Sequence, residues 1–147
     1  LSSSNGYTLV FNIQPIKEVH SRLPAGGADL SVLGHEITFR NGRTAQNRFL
    51  KAALTERISS WDPKNHKKRG IPPQRLINMY DKWGHGKFGV ILTGNVCVDP
   101  WNLESAGNVV FSKENDCPEL RQACVKWAEA MKQDGALAVA QISHTSS

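Results

Sequence analysis

Apolar and polar residues alternate through Glu36-Ile-Thr-Phe-Arg40, on one side of Asn41-Gly42, which Arg43-Thr-Ala-Gln46 follows. This pattern predicts a β-hairpin with a two-residue Asn-Gly turn. Three further apolar stretches, residues 48–54, 88–93 and 136–143, read as strands. The last two are nearly continuous apolar runs, as expected where both faces of a parallel sheet are covered. Between the first two lies residues 74–84, where Leu76, Tyr80 and Trp83 recur at helical spacing, with Pro72-Pro73 at the entrance and Gly84 at the exit. Between the last two, Leu120, Cys124, Trp127 and Met131 form a second helical stripe that Gly135 stops. Asp116-Cys-Pro-Glu119 looks like a capping box at its start. Strand, helix, strand, helix, strand implies two right-handed βαβ crossovers and a parallel sheet.

The connections are unequal. Residues 55–73 and 94–115 are long segments that follow strands, whereas each helix returns to the next strand through a short glycine-containing turn. Long βα and short αβ loops are how (β/α)8 barrels are built, and such barrels carry functional groups at the carboxyl ends of their strands. A doubly wound nucleotide-binding sheet would put Gly-x-Gly-x-x-Gly after its first strand, and neither that motif nor a phosphate loop occurs. The fold class expected is therefore α/β: the first three βα units of a TIM (β/α)8 barrel, preceded by a hairpin. A barrel needs eight strands and about 250 residues, so an incomplete barrel is expected. Residues 1–33, with Pro15, Pro24 and Gly26-Gly27, read as a weakly structured leading segment, and residues 34–147 as the barrel portion.

Composition narrows the classes of function. The 147 residues carry 18 Lys and Arg against 13 Asp and Glu, a net charge of +5, but the basic residues are scattered. The single basic run, Lys64-Asn-His-Lys-Lys-Arg69, lies between turn signals and reads as a solvated loop, so no nucleic-acid partner is expected. No apolar run is long enough to span a bilayer, and no membrane partner is expected. Three cysteines without a Cys-x-x-Cys pair argue against a disulfide framework or a zinc site and fit a cytoplasmic location. The opening Leu1 and the absence of a signal-like start suggest a fragment or processed product.

The strand ends carry the motifs. The first reads Asn47-Arg-Phe-Leu-Lys-Ala-Ala-Leu-Thr55, the second Gly89-Val-Ile-Leu-Thr-Gly94 followed by Asn95, and the third Ala140-Gln-Ile-Ser-His144, with Tyr80-Asp-Lys-Trp-Gly84 closing the first helix. In this order and spacing, across about residues 31 to 144, the chain resembles the old yellow enzyme family of FMN-dependent NADH:flavin oxidoreductases. The resemblance implies FMN across the carboxyl ends of the strands, with NADH or NADPH as hydride donor and a small-molecule electron acceptor as partner. Ala53 and Leu54 would set backbone groups against the flavin ring, and Thr55 would offer a hydroxyl near O4 and N5, a bond that tunes the cofactor's potential. Gly94 and Asn95, at the end of the second strand, would approach the pyrimidine edge, and Gln141 would use its two-sided amide on the same uracil-like edge. None of these is a proton donor, so no catalytic residue and no metal ligand is assigned.

Two departures from the family pattern stand out. Ala53 replaces the usual Pro, and His144 is followed by Thr145-Ser-Ser147 where a Gly-Arg pair is usual. The family's substrate-gripping pair, its proton-donating Tyr and its phosphate site would all come later. The alternative expectation is thus a catalytically inactive truncated product that at most binds a partner. Other residues have plainer readings. Thr55 alone would cap a turn, and Gln141 needs some partner wherever it is buried. His144 reads as structural, His85 as solvent-facing and Cys97 as a small hydrophobe. Glu104 and Glu114 either line the site mouth or solvate their loop. Trp83 and Trp127 fall on the core stripes, while Trp61 and Trp101, on the βα loops, could shield a flavin edge.

Overall fold

The structure is a computed structural model and describes residues 26–145. Most of the leading segment expected to be weakly structured, up to residue 25, lies outside the described residues; Ser31–Gly34 forms a short 3-10 turn. The hairpin follows, with β1 (Ile37–Thr38) antiparallel to β2 (Thr44–Ala45) and Ile37 opposite Ala45. Its turn is not the two-residue Asn-Gly turn expected. The Gly42 N–H donates to the Phe39 carbonyl at 2.8 Å and the Phe39 N–H to the Arg43 carbonyl at 2.7 Å, enclosing three loop residues. Gly42 alone among them has a positive φ, of 79°, so it takes the left-handed bulge position that a three-residue loop requires.

The first parallel strand, β3 (Leu50–Lys51), is much shorter than residues 48–54. It pairs with β4 (Val90–Cys97) through Leu50 opposite Val90 and Lys51 opposite Ile91, and then the chain leaves the ladder. Helix α1 (Gln74–Gly84) matches its expected bounds, because Pro72-Pro73 and Gly84 punctuate it. Leu76 and Tyr80 are fully buried, and Trp83 packs edge-on against Tyr80 with ring centroids 4.8 Å apart. Strand β4 runs past residues 88–93, and its carboxyl half gains a partner the pattern did not reveal, β5 (Val109–Val110), parallel to Val96 and Cys97.

Helix α2 (Pro118–Met131) starts one residue later than the capping box implied. Cys117 is the N-cap, its Sγ accepting from the Leu120 N–H at 3.5 Å, while the Asp116 carboxylate takes the Arg121 guanidinium with two contacts of 2.7 and 2.5 Å. Of the expected stripe, Leu120, Trp127 and Met131 are buried and Cys124 is half-buried, and Ala130 is buried beside them. Gly84 lets the two helices meet, since a Cβ there would stand 1.9 Å from the Ala130 carbonyl oxygen. The last strand, β6 (Leu137–Ser143), lies parallel to β4 on the side away from β3. Both helices cover one face of this sheet, and the core runs from Leu76, Ile77 and Tyr80 through Ile91, Val96 and Val109 to Trp127 and Met131. Among the described residues the parallel sheet is open and no barrel closes. No helix among them is long and apolar enough to cross a membrane.

The basic run is only partly the solvated loop expected. Lys64, Lys67 and Lys68 are exposed, but Arg69 is 6% exposed. Its guanidinium donates to the Asp62, Pro63 and Pro100 carbonyls at 2.8, 2.9 and 2.8 Å and lies 4.1 Å over the Trp61 ring. Arg69→Ala strips donors from three carbonyls and is expected to cost about 2–3 kcal/mol in urea unfolding. Arg69→Lys should recover little of it, because an ammonium cannot reproduce the planar fork. A wild-type unfolding midpoint for Arg69→Ala would refute this role.

Candidate functional site

Because β3, β4 and β6 are parallel, the segments that follow them emerge on one side of the sheet. The geometry there centres on Gly94. A Cβ at this position would lie 2.3 Å from the Leu54 carbonyl oxygen and 2.5 Å from Glu56 Oε2, so only glycine lets the loop after β3 rest on β4. Next to it, the buried Thr93 hydroxyl donates to the Gly94 carbonyl at 2.8 Å and accepts the Gln141 N–H at 3.0 Å. Asn95 stands opposite Gln141 in the β4–β6 ladder, just past a register irregularity between Leu92 and Asn95.

The structure therefore brings Leu54 against Gly94, and Asn95 level with Gln141. Ala53 and Thr55, both half-buried, flank the exposed Leu54 along the same loop. The backbone groups of Ala53, Leu54 and Thr55 make no backbone hydrogen bond among the described residues. The Gln141 side-chain oxygen is buried and likewise has no partner among them. One expectation is corrected: Gly94 and Asn95 do not end the second strand, which continues to Cys97. The irregularity beside them allows this, shifting the register without ending the ladder, and β5 then supports the extension.

Three residues of this site escaped the sequence. Tyr80, counted only as core, sends its hydroxyl to the site: the O–H donates to Glu56 Oε1 in a short bond and accepts the Gly94 N–H at 2.9 Å. Lys51, 6% exposed, donates from Nζ to the Leu92 carbonyl at 3.2 Å and sits 3.9 Å over the Trp83 ring. A Lys and a Glu bracketing an otherwise apolar strand end, and a Tyr rather than Leu in a helix stripe, were the available signals. Burial lowers the Lys51 pKa, an effect the Glu56 carboxylate opposes.

Burial, reinforced by the Glu56 hydrogen bond and charge, raises the Tyr80 pKa well above its ordinary 10.0. The phenol thus remains a proton donor through the neutral range. Above about pH 10 an unfolded tyrosine loses a proton that folded Tyr80 keeps, so the unfolded state binds fewer protons and stability falls as pH rises. The expected result is a decline of melting temperature above about pH 10 that is visibly shallower in Tyr80→Phe. Parallel declines would contradict the assignment.

The remaining candidates sit outside this cluster. Cys97 is buried with its Sγ 3.8 Å from the Ser143 hydroxyl, as a small hydrophobe would be. His144 is exposed, and so is His85, beside Asp81 and Asp134. Glu104 pairs with Arg57 and so ties the loop after β4 to the loop after β3, whereas Glu114 is exposed. Trp127 is buried, Trp83 half-buried. Trp61 and Trp101 are 44% and 55% exposed, the first stacked on Arg69 and the second 5.3 Å from the His66 ring.

Parallel strands followed by long loops and backed by helices are the layout of (β/α)8 barrels. Solved structures share the fold. A variant of NCR from Zymomonas mobilis superposes with a TM-score of 0.62 at 20% identity, over 77% of this chain and 32% of the other. The old yellow enzyme from Trypanosoma cruzi gives 0.61 at 17% identity, over 78% and 27%. Morphinone reductase in complex with tetrahydroNAD gives 0.58 at 14% identity, over 75% and 26%. In sequence, the NADH-dependent flavin oxidoreductase nadA of Aspergillus parasiticus is 42% identical over 123 residues, 79% of this chain and 27% of the relative. The NADH-dependent flavin oxidoreductase iliE of Hypocrea jecorina is 28% identical over 127 residues, 86% of this chain and 27% of the relative. No protein-family model matches the chain. The chain is thus similar in sequence to curated NADH-dependent flavin oxidoreductases and shares its fold with solved old yellow enzymes. It spans 27% of the length of these two curated relatives.

Proposed function

We propose that this chain forms part of the flavin-holding side of an FMN-dependent NAD(P)H oxidoreductase, with residues 34–147 contributing the first three βα units of a (β/α)8 barrel in the cytoplasm. Bound FMN would supply the redox chemistry, taking hydride at N5 from NADH or NADPH and giving it to an electron-poor small molecule such as an α,β-unsaturated carbonyl. The observation that carries the reading is the buried, unpartnered Gln141 side-chain oxygen, opposite Asn95 on the strand that holds Gly94. A buried amide oxygen left unpaired costs about 1–3 kcal/mol, a cost that a hydrogen-bonding ligand edge removes.

The residues present fit such a group. Gln141 and Asn95 can each donate and accept, which suits a uracil-like edge bearing both carbonyl and N–H. Leu54 and Ala53 offer backbone groups without backbone hydrogen-bond partners among the described residues, and Thr55 offers a hydroxyl beside them. Gly94, lacking a side chain, lets the loop carrying Ala53, Leu54 and Thr55 lie directly against β4. These residues bind and orient; none of them is placed to move a proton to a substrate. The test is to purify the protein in its natural length, add FMN and record the visible spectrum and the oxidation of NADH. Stoichiometric flavin that NADH bleaches is expected, and a protein that takes up no flavin overturns the proposal.

A further inference from the structure

We propose that Tyr80 and Glu56 act as a positioning clamp, fixing the loop of residues 53–55 against Gly94 and so setting the spacing of the groups that would meet the flavin. The inference rests on the flavin reading above. Its basis is that one hydroxyl joins three separate parts of the chain. Tyr80 belongs to α1, which supplies no residue to the proposed flavin contacts. Its ring is fully buried and held edge-on between Trp83 and Trp127, at 4.8 and 5.2 Å, so the hydroxyl has little freedom. That hydroxyl donates to Glu56, the residue after Thr55, and accepts the Gly94 N–H at 2.9 Å.

Glu56 also meets Gly94 directly, since its Oε2 lies 2.5 Å from where a Gly94 Cβ would stand. The loop therefore touches β4 at the Leu54 carbonyl and at the Glu56 carboxylate, and Tyr80 bonds both Glu56 and Gly94. Lys51 supplies the balancing charge, with Nζ 4.9 Å from the Tyr80 ring centroid and bonded to the Leu92 carbonyl, two residues before Gly94. A phenylalanine would fill the same core volume. The hydroxyl adds only this connection, and without it the Glu56 carboxylate and the Gly94 N–H both lose their partner.

The test uses the natural-length protein with Tyr80→Phe, Glu56→Gln and Glu56→Leu. Measured by quenching of flavin fluorescence, the FMN dissociation constant is expected to rise about tenfold in Tyr80→Phe and Glu56→Leu, the loss of about one hydrogen bond. Glu56→Gln keeps an acceptor for the Tyr80 O–H and should stay within about threefold of wild type. The visible band of bound flavin should shift in Tyr80→Phe and Glu56→Leu and stay near the wild-type position in Glu56→Gln. Amide exchange without FMN reads the clamp separately: the Gly94 N–H should exchange about tenfold faster in Tyr80→Phe, with the α1 amides unchanged. Wild-type affinity and band position in Tyr80→Phe overturn the clamp. If Tyr80→Phe does not fold, equal affinities for Glu56→Leu and Glu56→Gln overturn it instead. If the wild type takes up no FMN, the flavin reading fails, and the role toward flavin with it. An unchanged Gly94 exchange rate then also removes the clamp itself.

Discussion

Gly94→Val is expected to lower stability by about 3 kcal/mol and to abolish FMN retention, the upper end of the usual cost of overpacking. The first atom added already collides. A Cβ would come within 2.3 Å of the Leu54 carbonyl oxygen and 2.5 Å of Glu56 Oε2, both far inside van der Waals contact. Side chains can often rotate away from an intruder, but the Leu54 oxygen is backbone and moves only if the whole loop lifts. Glu56 has little room to yield either, since Tyr80 holds its other oxygen. Lifting the loop would break the Tyr80 bond to Glu56 or to Gly94 and carry Ala53, Leu54 and Thr55 away from β4. One substitution should therefore disturb packing and flavin binding together. Gly34→Ala is the control: nothing lies within 4 Å of its Cβ position, so its effect should stay within about 0.5 kcal/mol. Urea unfolding and the visible spectrum after FMN addition decide the matter. A Gly94→Val protein with wild-type midpoint and flavin content would sink both the close-packing argument and the site.

How much of this was legible in the sequence depended on whether a signal was local. Helix α1 could be bounded closely because proline and glycine punctuate it, and each acts through its own backbone. The buried stripe of α2 followed from spacing alone, but its cap did not: Asp116 and Cys117 are adjacent, and the choice fell to the thiol because Arg121 reaches back to take the Asp116 carboxylate. Strand β5 is two residues long and has no periodicity to detect, existing only because Val96 and Cys97 present an edge to it. The burial of Arg69 is equally nonlocal, fixed partly by the Pro100 carbonyl 31 residues away. At the site, Ala53 and Leu54, expected on the first strand, lie on the loop after it with Thr55, and Gly94 and Asn95 lie inside β4 rather than at its end. Tyr80, Glu56 and Lys51 were not singled out, because their meaning comes from contacts between α1, β4 and the loop after β3. Sequence spacing exposes faces of elements, whereas these residues act at the junction of three.

Gln141→Leu is expected to move stability and binding in opposite directions. In the protein without FMN, the buried Gln141 oxygen has no partner among the described residues, and a leucine of similar volume removes that unmet demand. Stability should rise by about 1 kcal/mol, less than the full cost of an unpaired amide, because the amide retains other contacts with solvent in a residue that is only half-buried. The Gln141 backbone N–H keeps its bond to the Thr93 hydroxyl whatever the side chain, so the strand should not shift. With FMN the sign reverses. A site shaped for a two-sided amide loses both a donor and an acceptor, and the ligand groups they would meet are left buried without partners, a loss of about a hundredfold in affinity. Thermal melting with and without FMN measures both effects in one experiment: the variant should melt above wild type without flavin and below it at saturating flavin for wild type. If Gln141 were only a structural amide, the variant would change melting alike in both conditions, because flavin would not distinguish the two proteins.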